Sequence, residues 1–418
     1  MDNRANYISI LKEELIPAMG CTEPIAIAYA AAKARDTLGK MPKKLLVEVS
    51  GNIIKNVKSV VVPHTGGLRG IPAAAAAGTV AGRADMELEV ISEVTEAQIA
   101  EIKNYLESTE ITVKCADTPH IFDIQITAFS GDESAFVRIA EHHTNIVSVM
   151  KNGDTLFEKE IKQRTDGLTD RSCLNIAEIV KFAESVDLED VRQTLERQIE
   201  YNMAIAEEGL KHPYGANIGK TLLAHADGLN YKLRAYAAAA SDARMNGCEL
   251  PVIINSGSGN QGITSSVPVI VYAREKEKTQ DELLRALCVS NLVTIHLKTG
   301  IGRLSAYCGV VSAGVGAAAG IAFLDGGRVD VISHTVVNAL AMDSGIICDG
   351  AKASCAAKIS SAVDAGLLGL EMYKSGNQFF EGDGLVKKGV ENTIRAFGCL
   401  ARQGMCGTDK EIIRLMME

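Results

Sequence analysis

The chain has 418 residues, 47% hydrophobic and 23% charged, which excludes a disordered chain and argues for two or more domains. A net charge of −9 without any Lys/Arg cluster excludes nucleic acid as a natural partner. Trp is absent while Gly and Ala abound, a bias that suits closely packed helices with small contact residues.

The first residues, MDNRANYISILKEELIPAMG, are amphipathic and carry acids, without the basic and apolar regions of a signal peptide. A cytoplasmic location is expected. Ten cysteines then point to a reducing compartment, and to metal-binding or catalytic thiols more than to disulfides. Ile8, Leu11, Leu15 and Met19 recur on one helical face that ends at Gly20. Cys21-Thr22-Glu23-Pro24 follows, and Thr22 with Pro24 reads as the start of a second, Ala-rich helix through Leu38. Residues 1–40 are expected to be helices packed on a helical domain.

LLVEVSG (45–51) and SVVVPH (59–64) read as strands, followed by the turn Thr65-Gly66-Gly67 and an Ala-rich helix from Ile71. MELEVISEV reads as a strand, Glu96–Ser108 as a helix and ITVKCAD as a strand. The alternation through IFDIQITAFSG and SAFVRIAEHHTNIVSVMKNGDTLFEKE, with its Lys-Asn-Gly-Asp turn, predicts antiparallel strands. From Leu168 onward strands vanish and helical patterns run to the end. The expected class is α+β: an α/β domain over 41–167 with mixed or antiparallel strands, then an all-helical Gly/Ala-rich domain over 168–418. The charged segment 164–170 is the expected boundary. Tyr307–Leu324 is uncharged for 18 residues, but four Gly and five Ala without aromatic or basic flanks argue for a buried soluble helix.

Three stretches carry candidate chemistry. Cys308 precedes the Gly/Ala run, and Cys348 and Cys355 bracket an Asp-Gly turn. Their spacing does not match paired structural zinc knuckles. It suits either an iron–sulfur cluster held by three thiolates or three buried small apolar side chains. In one continuous helix Cys348 and Cys355 would lie roughly 10 Å apart, so ligation requires Cys348 in the turn made by Asp349-Gly350. The loop NSGSGNQG (255–262) follows an apolar PVII and offers backbone donors for a carboxylate, or serves as a connector. It matches neither nucleotide-binding glycine pattern. His64 and Thr65 sit beside glycines, in a functional or a purely structural role. Cys21, ahead of a helix start, is a candidate base or nucleophile, or an interhelical packing residue.

Together MGCTEP, VVPHTGG, NSGSGNQG, YCGVVSAGVGAAAG and CDGAKASC resemble the L-cysteine desulfidase family over nearly the whole chain. That family is related to the iron–sulfur L-serine dehydratases. The resemblance implies a [4Fe–4S] cluster on Cys308, Cys348 and Cys355, with Cys21 as proton acceptor. It implies a substrate pocket formed with His64, Thr65, Ser256, Ser258, Gly259, Asn260 and Gln261. Gly350 stands where the dehydratases have Pro, and Cys355 comes sooner than their third cysteine; both features fit the desulfidase side better. The expected reaction is β-elimination from a small amino acid, most simply L-cysteine, giving sulfide, ammonia and pyruvate. L-serine dehydration by the same chemistry is the alternative, and a non-catalytic small-anion-binding protein without cluster is a second one. Partners are then a small amino acid and at most further copies of the chain, with no membrane.

Overall fold

Strand Lys44–Val49 buries Leu45, Val47 and Val49 completely while Leu46 and Glu48 between them are only partly covered. That period-two pattern sets a six-stranded sheet with one covered face. Its order is Glu110–Cys115, Lys44–Val49, Asp123–Ser130, Glu133–Ala140, Ile146–Lys151 and Asp154–Glu158. The first pair runs parallel and every other pair antiparallel. Asn152 and Gly153, both at positive φ, make the tight turn that the Asn-Gly pair specifies. Helices Thr22–Leu38, Gly70–Ala81 and Glu96–Ser108 belong to the same core as the sheet's inner face. The computed structural model describes residues 3–20, 22–161, 168–225, 227–302 and 305–418, so the expected boundary at 164–170 falls largely outside it.

The rest is helical, and the architecture is α+β. Helix Gly309–Leu324 is buried along nearly its whole length among Gly259–Glu275, Gln280–Ile301, Val329–Asp343 and Cys355–Lys374. Its small residues have a steric cause. A Cβ at Gly316 would stand 2.1 Å from Thr294 Oγ1, and one at Gly314 would stand 2.4 Å from the Ala362 carbonyl. Among the described residues, no helix is long and apolar enough to cross a membrane.

Four expectations need correction. Residues 59–64 form only an isolated bridge, Val61 to Arg69, because the chain turns at Lys58 and again at Pro63. Residues 84–89 are a short 3₁₀ helix whose bend at Glu87 (φ 49°) breaks any strand. The first helix buries Tyr7, Ile10 and Leu11 in the helical core, but Thr22–Leu38 joins the core of the sheet. Its alanines fit close against Gly78, where a Cβ would lie 2.0 Å from the Ala28 carbonyl. Finally, Pro251–Ile253 is a strand, paired antiparallel with Pro17–Met19. This short ribbon positions the site, since it lays the segment ending at Gly20 along the approach to the 255–262 loop.

Candidate active site

Where the two cores meet lies a cavity of ≈ 330 Å³, at the small end of ligand pockets. All three cysteines line it. Cys308 is the residue before helix Gly309–Leu324, and its N–H donates to the Ile346 carbonyl at 3.0 Å. Cys348 is held by the reciprocal bond, its N–H donating to Ala306 O at 2.6 Å. Cys355 is the first residue of helix Cys355–Lys374, and its thiol points toward the Gly350 carbonyl at 3.6 Å. Cys348 is therefore outside the helix, as ligation by all three requires. The turn between them is packed hard on the sheet domain. Gly350 has φ 93°, and a Cβ there would stand 1.8 Å from the Lys55 carbonyl oxygen.

Cations surround the thiols. Lys55 and Lys298 are 2% and 5% exposed, and both line the cavity with Lys358. Lys55 pairs with Asp409 at 2.5 Å, while Lys352 and Lys358 both pair with Asp349. Burial works to raise the Asp349 carboxyl, but those two lysines outweigh it and hold it below the usual range. Burial pushes Lys298 down to about 8, with the neighbouring Cys348 and Cys308 pulling the other way. The Cys308 hydrogen bond holds Cys348 well below an ordinary thiol, helped by Lys55 and Lys298. Cys308 is raised by the same bond and then by burial, and Cys355 is raised by burial.

The donor set fits an iron–sulfur cluster. A three-thiolate cluster needs three sulfurs turned toward one space, each to bind a different iron. Here three segments converge, and buried ammonium groups complement the negative charge of three thiolates. Among the described residues, no trio of Cys, His, Asp or Glu is gathered closely enough for a single metal ion. A cluster spreads its sulfurs more widely than that.

The glycine-rich loop lines the same cavity. Ser256 (φ 50°) and Gly257 (φ 80°) form a two-residue turn closed by the Asn255–Ser258 bridge, and helix Gly259–Glu275 begins immediately after it. A serine in the left-handed region is strained, and a buried amide network holds it there. Asn255 Nδ2 donates to Asn291 Oδ1 at 3.0 Å, and Asn291 exchanges hydrogen bonds with Gln198. Ser256, Ser258, Asn260 and Gln261 line the cavity. Gln261 lies across Gly309, next to Cys308, with its Oε1 buried and without a partner among the described residues.

The remaining expected residues divide. Gly259 is not a lining residue but the floor beneath Arg244, whose Nε a Cβ there would approach to 2.3 Å. His64 faces Glu249, Nδ1 to Oε1 3.1 Å, and the buried Thr65 hydroxyl donates to Val62 O at 2.7 Å. Neither lines the cavity, because the Val62 carbonyl draws the hydroxyl inward and Glu249 holds the ring away. Cys21 lies outside the described residues. Gly20 and Thr22 do not: Arg244 Nη2 donates to Gly20 O at 2.8 Å, and Thr22 lines the cavity at the start of its helix. Sequence reasoning missed Lys55, Lys298 and Arg244, and also His142 and His143, which line the cavity from the sheet side. Neither Lys298 nor Arg244 lies in a motif: Lys298 is a single Lys in an apolar helix, and Arg244 follows the likewise buried Asp242 in an Ala-rich one.

A three-thiol, lysine-rich pocket facing a donor-rich loop defines the class, and a family model described as serine dehydratase alpha chain matches residues 85–414. The chain belongs to that family of iron–sulfur, lyase-type enzymes. It is 59% identical to a UPF0597 protein of Desulfitobacterium hafniense (strain Y51), over 98% of this chain and 96% of that one. It is 48% identical to a UPF0597 protein of Treponema denticola (99% and 97% covered) and 38% identical to one of Shewanella oneidensis (99% and 98% covered).

Proposed function

We propose that the protein is a cytoplasmic lyase that removes the β-substituent of a small amino acid, with L-cysteine as substrate. The observation that carries this reading is the convergence of Cys308, Cys348 and Cys355 with the 256–261 donors on one small cavity. Those three thiolates would hold a [4Fe–4S] cluster, which supplies a Lewis acid where the leaving group departs. The chain's own residues do the rest. Ser256, Ser258, Asn260 and Gln261 offer donors that orient the substrate carboxylate. Lys55, Lys298 and Lys358 keep the thiolates charged in a buried site. Cys21, the residue before helix Thr22–Leu38 in the sequence, takes the proton from Cα as a thiolate. The electron pair left on Cα forms the Cα–Cβ double bond as the C–S bond breaks. Sulfide leaves, and aminoacrylate hydrolyses to pyruvate and ammonia. A reducing compartment suits this chemistry, and all the described cysteines are free thiols.

The family description favours one competing reading, L-serine dehydration by the same residues. Departures in the motif, Gly350 in place of Pro and the early Cys355, favour cysteine. Anaerobic turnover on both substrates decides between them, and we expect sulfide release from L-cysteine to exceed ammonia release from L-serine. Cys21→Ser is expected to keep its iron and lose about 10²–10⁴-fold in turnover, the typical share of a general base. Wild-type rates in that variant would return Cys21 to a packing role.

A further inference from the structure

We propose that Arg244 is the anchor for the substrate's α-carboxylate; this rests on the amino-acid reading above and adds to it a residue that no motif contains. Arg244 ends helix Leu229–Met245, is 9% exposed and lines the cavity. Among the described residues its guanidinium meets only neutral acceptors: Nη1 donates to Asn260 Oδ1 at 3.2 Å and Nη2 to the Gly20 carbonyl at 2.8 Å. Its Nε is buried and has no partner among the described residues.

A desolvated guanidinium without a counter-charge is costly, and Arg is rarely buried unless paired. The other cavity cations are answered. Lys55 has Asp409, Lys358 has Asp349, and Lys298 has Cys308 and Cys348 beside it. The two carboxylates lining the cavity are engaged elsewhere: Glu141 pairs with His120 at 2.7 Å, and Glu23 accepts from Asn56 at 3.1 Å. Among the described Lys and Arg residues of the cavity, Arg244 is thus the one left for an anionic ligand. It lies against Gly259, at the start of helix Gly259–Glu275, so its charge adds to the dipole and to the loop donors. A fork of N–H groups held in place by Asn260 and Gly20 suits a planar carboxylate. The loop supplies orientation and Arg244 supplies charge.

L-alanine tests this, because it has the carboxylate and amine but no β-leaving group. Its binding to anaerobically purified holoprotein is compared with that of L-alaninamide, whose carboxylate is masked. The wild type is expected to prefer L-alanine by about 10–100-fold, the worth of charged hydrogen bonds. Arg244→Gln should bring L-alanine down to the amide's affinity and leave the amide unchanged. Arg244→Lys, which keeps the charge but not the fork, should lower the preference for L-alanine less than Arg244→Gln does. No preference in the wild type, or equal losses of both ligands in both variants, overturns the anchor. The outcome is separable from the lyase reading. An Arg244-dependent preference without L-cysteine turnover leaves the anchor standing and sinks the lyase; turnover with an unchanged KM in Arg244→Gln does the reverse.

Discussion

Burial raises the Asp242 carboxyl to about 6, although its Oδ2 accepts the Gly219 N–H at 3.0 Å. The residue is 1% exposed, and its Oδ1 has no partner among the described residues. A carboxyl raised in the folded state favours folding fully below the ordinary value of 3.8, and that contribution is lost as pH rises through about 6. Asp242→Asn keeps an acceptor for Gly219 and cannot ionise. The variant is therefore expected to be more stable than the wild type by about 2–3 kcal/mol at pH 8, from roughly two pKa units, and the gap should close below about pH 4. Urea unfolding across that range checks it, and a gap that does not change with pH contradicts it. At this scale the cysteines were legible, because a thiol announces its chemistry wherever it stands. The buried cations were not. A lone Lys or Arg in a helix reads as solvated face, and only the packing of Leu297, Ile301 and the alanines before Arg244 shows otherwise.

Helix Cys406–Met417 packs on Gly51–Val57, the helix that carries the cavity-lining Lys55 and Asn56. Ile413 lies against Gly51, where a Cβ would come within 2.7 Å, Lys58 donates to the Met416 carbonyl, and Asp409 reaches Lys55 at 2.5 Å. The Lys55 side chain is 1% exposed, so this pair is far from an exposed ion pair worth at most about 1 kcal/mol. Asp409→Asn strands a buried ammonium and is expected to lose about 3–5 kcal/mol. Adding Lys55→Met should restore most of that loss, which denaturation of the two variants measures as a coupling. A loss near 0.5 kcal/mol, with no recovery, would reduce the pair to a surface contact. Element types were read well where local chemistry decides them. The capping box of Thr95 and Gln98 fixes the start of Glu96–Ser108, and Asn152-Gly153 fixes a hairpin. They were misread where a β-branched run lacked a partner edge, as at 59–64, since pairing is a tertiary property that no window of sequence contains.

Two hydrophobic cores meet along the cavity, and three chain crossings bind them together. The Pro17–Met19 strand joins Pro251–Ile253, the Gly350 turn sits on the Lys55 carbonyl, and the last helix returns to Gly51–Val57. These contacts join residues hundreds of positions apart, which is why the motifs could be ordered from sequence but their common cavity could not be drawn. The loop at His64-Thr65 shows the limit: its place in the motif order is clear, yet its side chains turn to Val62 and Glu249. On the proposed reading, this cavity holds a cluster that works on L-cysteine. Iron, acid-labile sulfide and pyruvate formation measured together on anaerobically purified protein test it most directly. About four iron and four sulfide per chain are expected, lost together with pyruvate formation in Cys308→Ser, Cys348→Ser and Cys355→Ser. Full iron content in all three variants, or pyruvate formed from L-cysteine by iron-free protein, would contradict the account.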